Sequence, residues 1–160
     1  MEFRKMRRFK QEISRDECLD VLETEKRAVL SVNGDGGYPY GVPINYVLDR
    51  DSGKIYFHGA KSGHKLDAVK NNNKVCLTVC EQGEQREDWS YYARSVVVFG
   101  RIRIIDDIFE STLRVRAMAR KYYPADAENE IEADISRNIG RMYMFEITPD
   151  HISGKLVHEK

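Results

Sequence analysis

The chain has 160 residues, of which 41% are hydrophobic and 32% charged, and its 26 lysines and arginines balance 26 aspartates and glutamates. This size and composition are typical of a single globular domain, which we assign to residues 1–160. The balanced charge argues against a general nucleic-acid binder. A membrane protein is also not expected, because no stretch approaches the roughly 18 consecutive apolar residues of a membrane span.

The first 13 residues form a basic N-terminal arm, with five lysines and arginines among the first ten positions. Such a segment can contact nucleic acid, but it is more often a solvated terminal extension. No apolar run follows the basic residues, so we expect no secretory signal and predict a cytoplasmic protein.

The cysteines and histidines give no sign of a disulfide framework or a metal site. On a strand, Cys76 and Cys80 would lie on one face about 13 Å apart, too far for a disulfide. Cys76 and Cys80 are predicted to be buried free thiols, and all three cysteines, Cys18 included, suit a reducing compartment. The four histidines show no zinc-binding spacing, so no metal is expected.

The first half of the chain reads as one helix followed by three strands. Ser14 and Glu17 form a predicted capping box for a helix that ends near Glu25. Alternating apolar residues predict strands at 27–33, 40–49 and 54–60, separated by glycine-rich or polar turns. Pro39 and Pro43 cannot donate ladder hydrogen bonds, so the second strand should lie at a sheet edge or contain a bulge.

The second half alternates helices with longer strands. We predict a short helix from about 62 to 71, a strand at 74–82, a loop at 83–94 and a long strand at 95–106. Asp107 and Glu110 should cap a helix that ends before Pro124; a further helix is expected within 125–140 and a last strand within 141–157. About six strands with short hairpins and a few helices predict a small barrel, mainly β or α+β.

Positive charge is concentrated where the third strand gives way to the short helix. Period-two alternation places His58 on the face opposite Phe57. Ser62 is a natural N-cap, and His64 and Lys65 occupy a first turn that usually favours acidic residues. A phosphate there would accept backbone N–H bonds, a Ser62 hydroxyl bond and a contact from Lys65. A merely basic surface turn explains the same residues equally well.

Five segments in this order carry a resemblance to a known family: "MRRFKQEI", "AVLSVNGDGGYPYGVPINYV", "IYFHGAKSGHKLDAVKNNNKVCLTV", "SVVVFGRIRII" and "ISGK". Between residues 7 and 157 the chain resembles the pyridoxamine 5′-phosphate oxidase-like, FMN-binding split-barrel proteins, within them the nitroimidazole-resistance (Nim-type) flavoproteins. The resemblance implies a six-stranded antiparallel split β-barrel with flanking helices. It also implies a homodimer that binds FMN in the cleft between its subunits.

The resemblance also assigns site residues, position by position. The FMN phosphate would be held by Ser62, His64 and Lys65. Ring and ribityl contacts are implied for one strand and its neighbours, namely Val42, Pro43, Ile44, Asn45, Tyr46 and Ser95. His58 takes the place of a polar residue near the flavin and is the candidate catalytic residue.

A Nim-type flavoprotein would be an FMN-dependent oxidoreductase that reduces a small electrophile, such as the nitro group of a nitroimidazole. Oxidation of pyridoxamine phosphate is not expected, because the tail "DHISGKLVHEK" has no arginine to match the oxidases' substrate-phosphate residue. Two alternatives stay open: a haem-binding or haem-degrading protein on the same fold, with His58 or His151 as the iron ligand, and a flavin-binding module without turnover.

Overall fold

The structure is a computed structural model that describes residues 2–159. It combines eight strands with four α-helices, and 3-10 turns lie at Phe9–Gln11, Asp35–Gly37 and Ile139–Arg141. The elements in chain order are α1 (Arg15–Thr24), β1 (Arg27–Asn33), β2 (Pro39–Asn45), β3 (Val47–Asp49), β4 (Lys54–Ala60), α2 (His64–Asn71), β5 (Lys74–Cys80), β6 (Glu84–Gln85), β7 (Tyr91–Ile105), α3 (Ile108–Tyr122), α4 (Glu128–Asn138) and β8 (Met142–Glu159).

The strands form one antiparallel sheet in the order β2-β1-β5-β7-β8-β4-β3, with β6 paired to β7. The sheet curls so that residues of β2 and β4 approach each other. This confirms the predicted split-barrel fold of the mainly β, α+β class. The strand count differs from six for two reasons: Tyr46 interrupts the predicted second strand, and the predicted loop 83–94 contains β6 and the start of β7.

The proline-containing strand lies at a sheet edge, as predicted, because β2 pairs only with β1 in the sheet order. Its residues alternate between a core face and an outer face, and the same alternation runs through β1 and β5. The barrel core includes Leu30, Leu77 and Val98, all fully buried, and the stacked rings of Phe57 and Phe145 at 4.9 Å.

A second, smaller core lies on the other side of β4 and β8. Tyr56 and Met144 point away from the barrel and pack under α3 and α4. The helix residues in this cluster are Val115, Met118, Ile131 and Ile135. Because α3 and α4 cover the outer side of β4 and β8, these two strands have buried residues on both faces.

The predicted caps of α1 and α3 are confirmed. Ser14 and Glu17 form a reciprocal capping box, and the Asp107 carboxylate accepts from the Glu110 N–H at 2.7 Å. The predicted cap of α2 is wrong, because Gly63 occupies the N-cap position and Ser62 precedes it. The φ of Gly63 is 110°, a value that residues with a Cβ rarely adopt, so glycine rather than serine begins this helix.

The predicted burial of Cys76 and Cys80 is also wrong. Cys18 is buried, but Cys76 is only partly buried and Cys80 is exposed, because Leu77 and its alternate neighbours face the core instead. All three thiols are free.

The N-terminal arm is not simply solvated, although its basic side chains are exposed. The Ile13 N–H donates to the Gly154 carbonyl at 3.1 Å, and the Phe3 ring stacks on His151 at 4.6 Å. The arm therefore lies against β8. Within residues 2–159, no helix combines the length and the apolar character needed to cross a bilayer.

A buried carboxylate joins three strands beside the second core. Glu146 on β8 is 2% exposed and accepts hydrogen bonds from Arg103 (2.7 Å), Lys54 (3.1 Å) and Tyr56 (3.0 Å). Burial alone would raise the pKa of Glu146, but the hydrogen bonds from Arg103, Lys54 and Tyr56 outweigh it and lower the pKa to about 2. Arg103 also contacts Glu110 at 3.1 Å.

Candidate functional site

Two of the predicted site residues, Asn45 and His58, line one concavity of about 400 Å³. Asn45 ends β2 and His58 lies on β4, and the approach of these two strands brings them together. The opposite wall belongs to α3, α4 and the turn after α4, and it includes Met118, Tyr122 and Arg141. The concavity thus lies between the outside of the barrel and the helical layer.

His58 points outward because its neighbours Ile55 and Phe57 point into the barrel core. The His58 side chain is exposed, but the protein around it desolvates the imidazole and lowers its pKa, and the positive charge of Lys65 lowers the pKa further. The imidazole is therefore mostly neutral at pH 7 and can both donate and accept a hydrogen bond.

Lys65 carries a partly buried ammonium group beside β4. Its Nζ lies over the Phe57 ring, 5.2 Å from the centroid, and 5.9 Å from the centroid of Phe145. Gly59 leaves room for it, since a Cβ at that position would lie 2.9 Å from Nζ. Burial lowers the pKa of Lys65, and within the described chain no carboxylate acts to raise it again. The side chain is a cation without a counter-ion.

His64 turns away from Lys65, as expected for consecutive residues about 100° apart on a helix. Its Nε2 accepts from the Asp35 N–H at 3.2 Å, which requires an unprotonated nitrogen, and its ring stacks on Tyr40 at 4.2 Å. A protonated ring would instead face the Asp35 carboxylate 3.7 Å away. Ser62 is exposed in the preceding turn. Phosphate contacts by Ser62 and His64 stay predictions.

The remaining residues predicted on β2 divide between its two faces. Ile44 is buried in the barrel core, Val42 packs against that core and Pro43 is exposed. Tyr46 is fully buried after the end of β2, with the Lys121 ammonium 4.2 Å from its ring centroid. Of these positions, Asn45 alone lines the concavity, and its side chain accepts a hydrogen bond from Arg27.

Ser95 lies elsewhere in the sheet. It is on the outer face of β7, where it pairs with Cys80 of β5 and Lys155 of β8. Strands β5 and β1 separate it from β2, a distance of about 14 Å at ordinary strand spacing. Ser95 does not line the concavity with Asn45 and His58.

Tyr122, in the last turn of α3, is a site residue that the sequence did not reveal. Its hydroxyl accepts from the Tyr46 N–H at 2.8 Å and lies 2.6 Å from the Lys26 carbonyl and 2.9 Å from the Tyr46 carbonyl. The ring meanwhile lines the concavity. The Asp107 cap and Pro124 predicted α3, but no local pattern indicates which strands its last turn contacts.

The surroundings of the histidines bear on whether they could bind a metal. In residues 2–159, no three side chains among His, Cys, Asp and Glu come together as a metal site. His151 is covered by the Phe3 ring and lies 6.5 Å from the Phe99 ring centroid. Of the two histidines considered as iron ligands, His58 lines the concavity of about 400 Å³ described above.

Comparison with known proteins shows the family to which the chain belongs. The family model described as pyridoxamine 5′-phosphate oxidase matches residues 14–156. The chain belongs to the pyridoxamine 5′-phosphate oxidase family. This confirms the resemblance found in the sequence. A curated protein from Rhizobium meliloti (strain 1021), itself uncharacterized, is 36% identical over 89 residues, which are 56% of this chain and 53% of that protein. The chain therefore spans about half the length of this family relative.

Solved structures share the fold of this family member. A candidate 5-nitroimidazole antibiotic resistance protein from Bacteroides thetaiotaomicron has a TM-score of 0.77 and 20% identity, covering 92% of this chain and 87% of that one. A FAD-binding protein from Mesorhizobium loti has a TM-score of 0.66 and 25% identity, covering 92% and 97%. A FAD and heme binding protein from Mycobacterium smegmatis has a TM-score of 0.72 and 20% identity, covering 92% and 73%.

Proposed function

We propose that the protein is an FMN-dependent oxidoreductase that reduces a small electrophile, such as a nitro group on a nitroimidazole. The observation that carries the proposal is the uncompensated, partly buried ammonium of Lys65, at the start of α2 and close enough to His58 to lower its pKa. A site of this kind attracts an anion next to a concavity with a neutral imidazole. A cytoplasmic location is part of the same proposal.

The start of α2 suits a phosphate group. The helix begins at His64, and the Asp67 N–H is the first to bond within it, to the Gly63 carbonyl at 3.2 Å. The preceding N–H groups of the first turn have no intrahelical partner and lie at the positive end of the helix dipole. A phosphate would accept from them and would stabilise the charged form of Lys65.

The concavity suits a small substrate beside a flavin anchored by that phosphate. Its volume of about 400 Å³ lies within the range of small-molecule sites, roughly 300–1,000 Å³. Bound FMN would supply the electron-transfer chemistry, which no side chain provides. Asn45 and neutral His58 would orient the reacting partners by hydrogen bonds, while the α3–α4 wall would limit access of water. His58 is the proposed catalytic residue.

The FAD-binding protein at 25% identity supports a flavin as the cofactor. We propose FMN rather than FAD because the residues around α2 provide for one phosphate group. The haem alternative is supported by the Mycobacterium smegmatis protein, whose description includes heme.

We further propose that two copies of the chain form a homodimer with the flavin between them. The outer face of β1, β5 and β7 includes two exposed apolar side chains among polar ones, since Val29 and Phe99 are each 42% exposed. Ser95 lies on this same face and outside the concavity of its own chain. A second copy packed on the outer face would bring its Ser95 toward the flavin bound at Lys65, consistent with the role that the sequence resemblance gives both residues.

The visible spectrum of the purified, tag-free protein tests the cofactor. Flavin bands are expected, and chromatography of the released flavin should identify FMN. Release of FAD would overturn the assignment of FMN. A Soret band would favour the haem alternative, and a protein that takes up neither group would refute the proposal.

Anaerobic mixing of the reduced protein with a nitroimidazole tests turnover. Reoxidation of the flavin should be faster than that of free FMN at the same concentration. His58→Gln should slow reoxidation while FMN stays bound, because the substitution removes the imidazole and leaves Lys65 in place. If the wild-type rate matches that of free FMN, the protein is a flavin-binding module without turnover.

Mixing of two variants tests the homodimer. Lys65→Ala and Ser95→Trp should each bind FMN weakly as pure proteins. After they are unfolded together and refolded, mixed dimers should regain FMN binding, because one of their two sites then contains an intact Lys65 and an intact Ser95. If each site lies within one chain, mixing will restore nothing.

A further inference from the structure

The concavity at His58 contains charge that the chain does not neutralise. Two charged residues line it, Asp134 and Arg141. Asp134 accepts hydrogen bonds from Arg137 and Asn138, both at 3.1 Å. Arg141, by contrast, makes no ion pair with any residue in 2–159. The other arginines of α3 and α4 each pair with an aspartate or a glutamate.

The other groups at the concavity add no negative charge. His58 is mostly neutral at pH 7, and Lys65, which lowers its pKa, is a further cation nearby. Under the proposed function the phosphate of FMN would neutralise Lys65. The charge of Arg141 would still lack a partner, whereas Asp134, the acidic residue of the lining, is paired with Arg137. The uncompensated charge at the concavity is therefore positive and attracts an anion.

Arg141 is well placed to bind a ligand at the mouth of the concavity. It ends the 3-10 turn Ile139–Arg141 that connects α4 to β8, and its side chain is exposed. The walls behind it are partly apolar, with Val115, Met118 and Met142. A guanidinium group binds a carboxylate through two parallel hydrogen bonds, whereas apolar walls favour an aromatic ring.

We propose that the substrate of this site is a small aromatic electrophile that carries a carboxylate, and that Arg141 binds this carboxylate and so determines specificity. The inference rests on the proposed function and narrows it, because a neutral nitroimidazole would leave Arg141 unused. The ring would lie against the apolar wall, with its electron-accepting group toward His58.

Binding of 4-nitrobenzoate and of its uncharged analogue 4-nitrobenzamide tests the inference by isothermal titration calorimetry on the protein as purified. The wild type should bind 4-nitrobenzoate more tightly than 4-nitrobenzamide. Arg141→Gln should weaken binding of 4-nitrobenzoate by about tenfold, the effect of losing one charge-assisted contact. Binding of 4-nitrobenzamide should change by less than about twofold.

Arg120→Gln is the matched control, because it removes the same charge from an arginine of α3 that pairs with Glu128, and neither Arg120 nor Glu128 lines the concavity. It should leave the binding of both ligands unchanged. The inference is overturned if Arg141→Gln weakens both ligands equally, if Arg120→Gln has the same effect, or if neither ligand binds.

Reduction of the same two compounds by the flavin-loaded protein separates this inference from the proposed function. Equal use of both compounds would overturn the role of Arg141 while supporting an oxidoreductase. Reduction of neither compound or of any nitroimidazole would refute the proposed function, and the calorimetric comparison would still decide the role of Arg141.

Discussion

Replacement of Glu146 by glutamine should destabilise the protein strongly at neutral pH and hardly at all in acid. The folded pKa of Glu146 is about 2, against an ordinary value of 4.5. A difference of about 2.5 units corresponds to about 3 kcal/mol of stability at 1.36 kcal/mol per unit. Because the folded pKa is lowered, this stability is present above about pH 4.5 and is lost as the pH falls toward 2.

The stability lost in Glu146→Gln at pH 7 should come close to about 3 kcal/mol. The substitution keeps the shape of the side chain but leaves Arg103 and Lys54 without their shared carboxylate. Arg103 keeps its contact with Glu110, at 3.1 Å, and this contact should reduce the loss of stability. Urea denaturation at pH 7 and at pH 2.5 measures the difference between wild type and variant. It should be about 3 kcal/mol at pH 7 and should shrink severalfold at pH 2.5.

Asp150→Asn is the control, because Asp150 pairs with Arg101 at 2.7 Å but Arg101 is 59% exposed. An exposed pair of this kind contributes at most about 1 kcal/mol. A difference for Glu146→Gln that does not change with pH, or that is no larger than the control, would contradict the reasoning.

Three further predictions concern the candidate site. Lys65→Ala should weaken FMN binding by about tenfold or more, measured by fluorescence titration, whereas Lys70→Ala at the other end of α2 should not; equal effects would argue against a phosphate at the helix start. Gly59→Ala should also weaken FMN binding, though less, because its Cβ would lie 2.9 Å from the Lys65 Nζ and displace that flexible end. Tyr122→Phe should cost about 1–3 kcal/mol in urea denaturation, since the Tyr46 N–H loses its partner; no loss would mean that water replaces the hydroxyl.

Local patterns predicted those parts of the structure that depend on neighbouring residues. The capping box at Ser14 and the cap at Asp107 involve atoms within one helical turn. The alternation of buried and exposed residues in β1 and β4 follows from the pleat of a strand. The edge position of β2 followed from the missing N–H groups of Pro39 and Pro43. Each of these required only the sequence around it.

The site depends on contacts that no local pattern specifies. Asn45 and His58 are 13 positions apart and share a concavity because the sheet curls. Arg141 joins them because it immediately precedes β8, whose Met142 and Met144 pair with Ala60 and His58 of β4. The direction of His64 was likewise decided by Tyr40 and Asp35, whose positions depend on how β1 and β2 pair.

The hydroxyl of Tyr122 binds a backbone N–H at the junction between the two end strands of the sheet. Strands β2 and β3 are the two ends of the sheet order, and Tyr46 lies between them in the chain. Free backbone groups at such an edge can pair with another chain and start aggregation. Because Tyr122 binds the N–H of Tyr46, the junction cannot offer that donor to an incoming strand. A change in the length of α3 would therefore threaten solubility as well as the shape of the site.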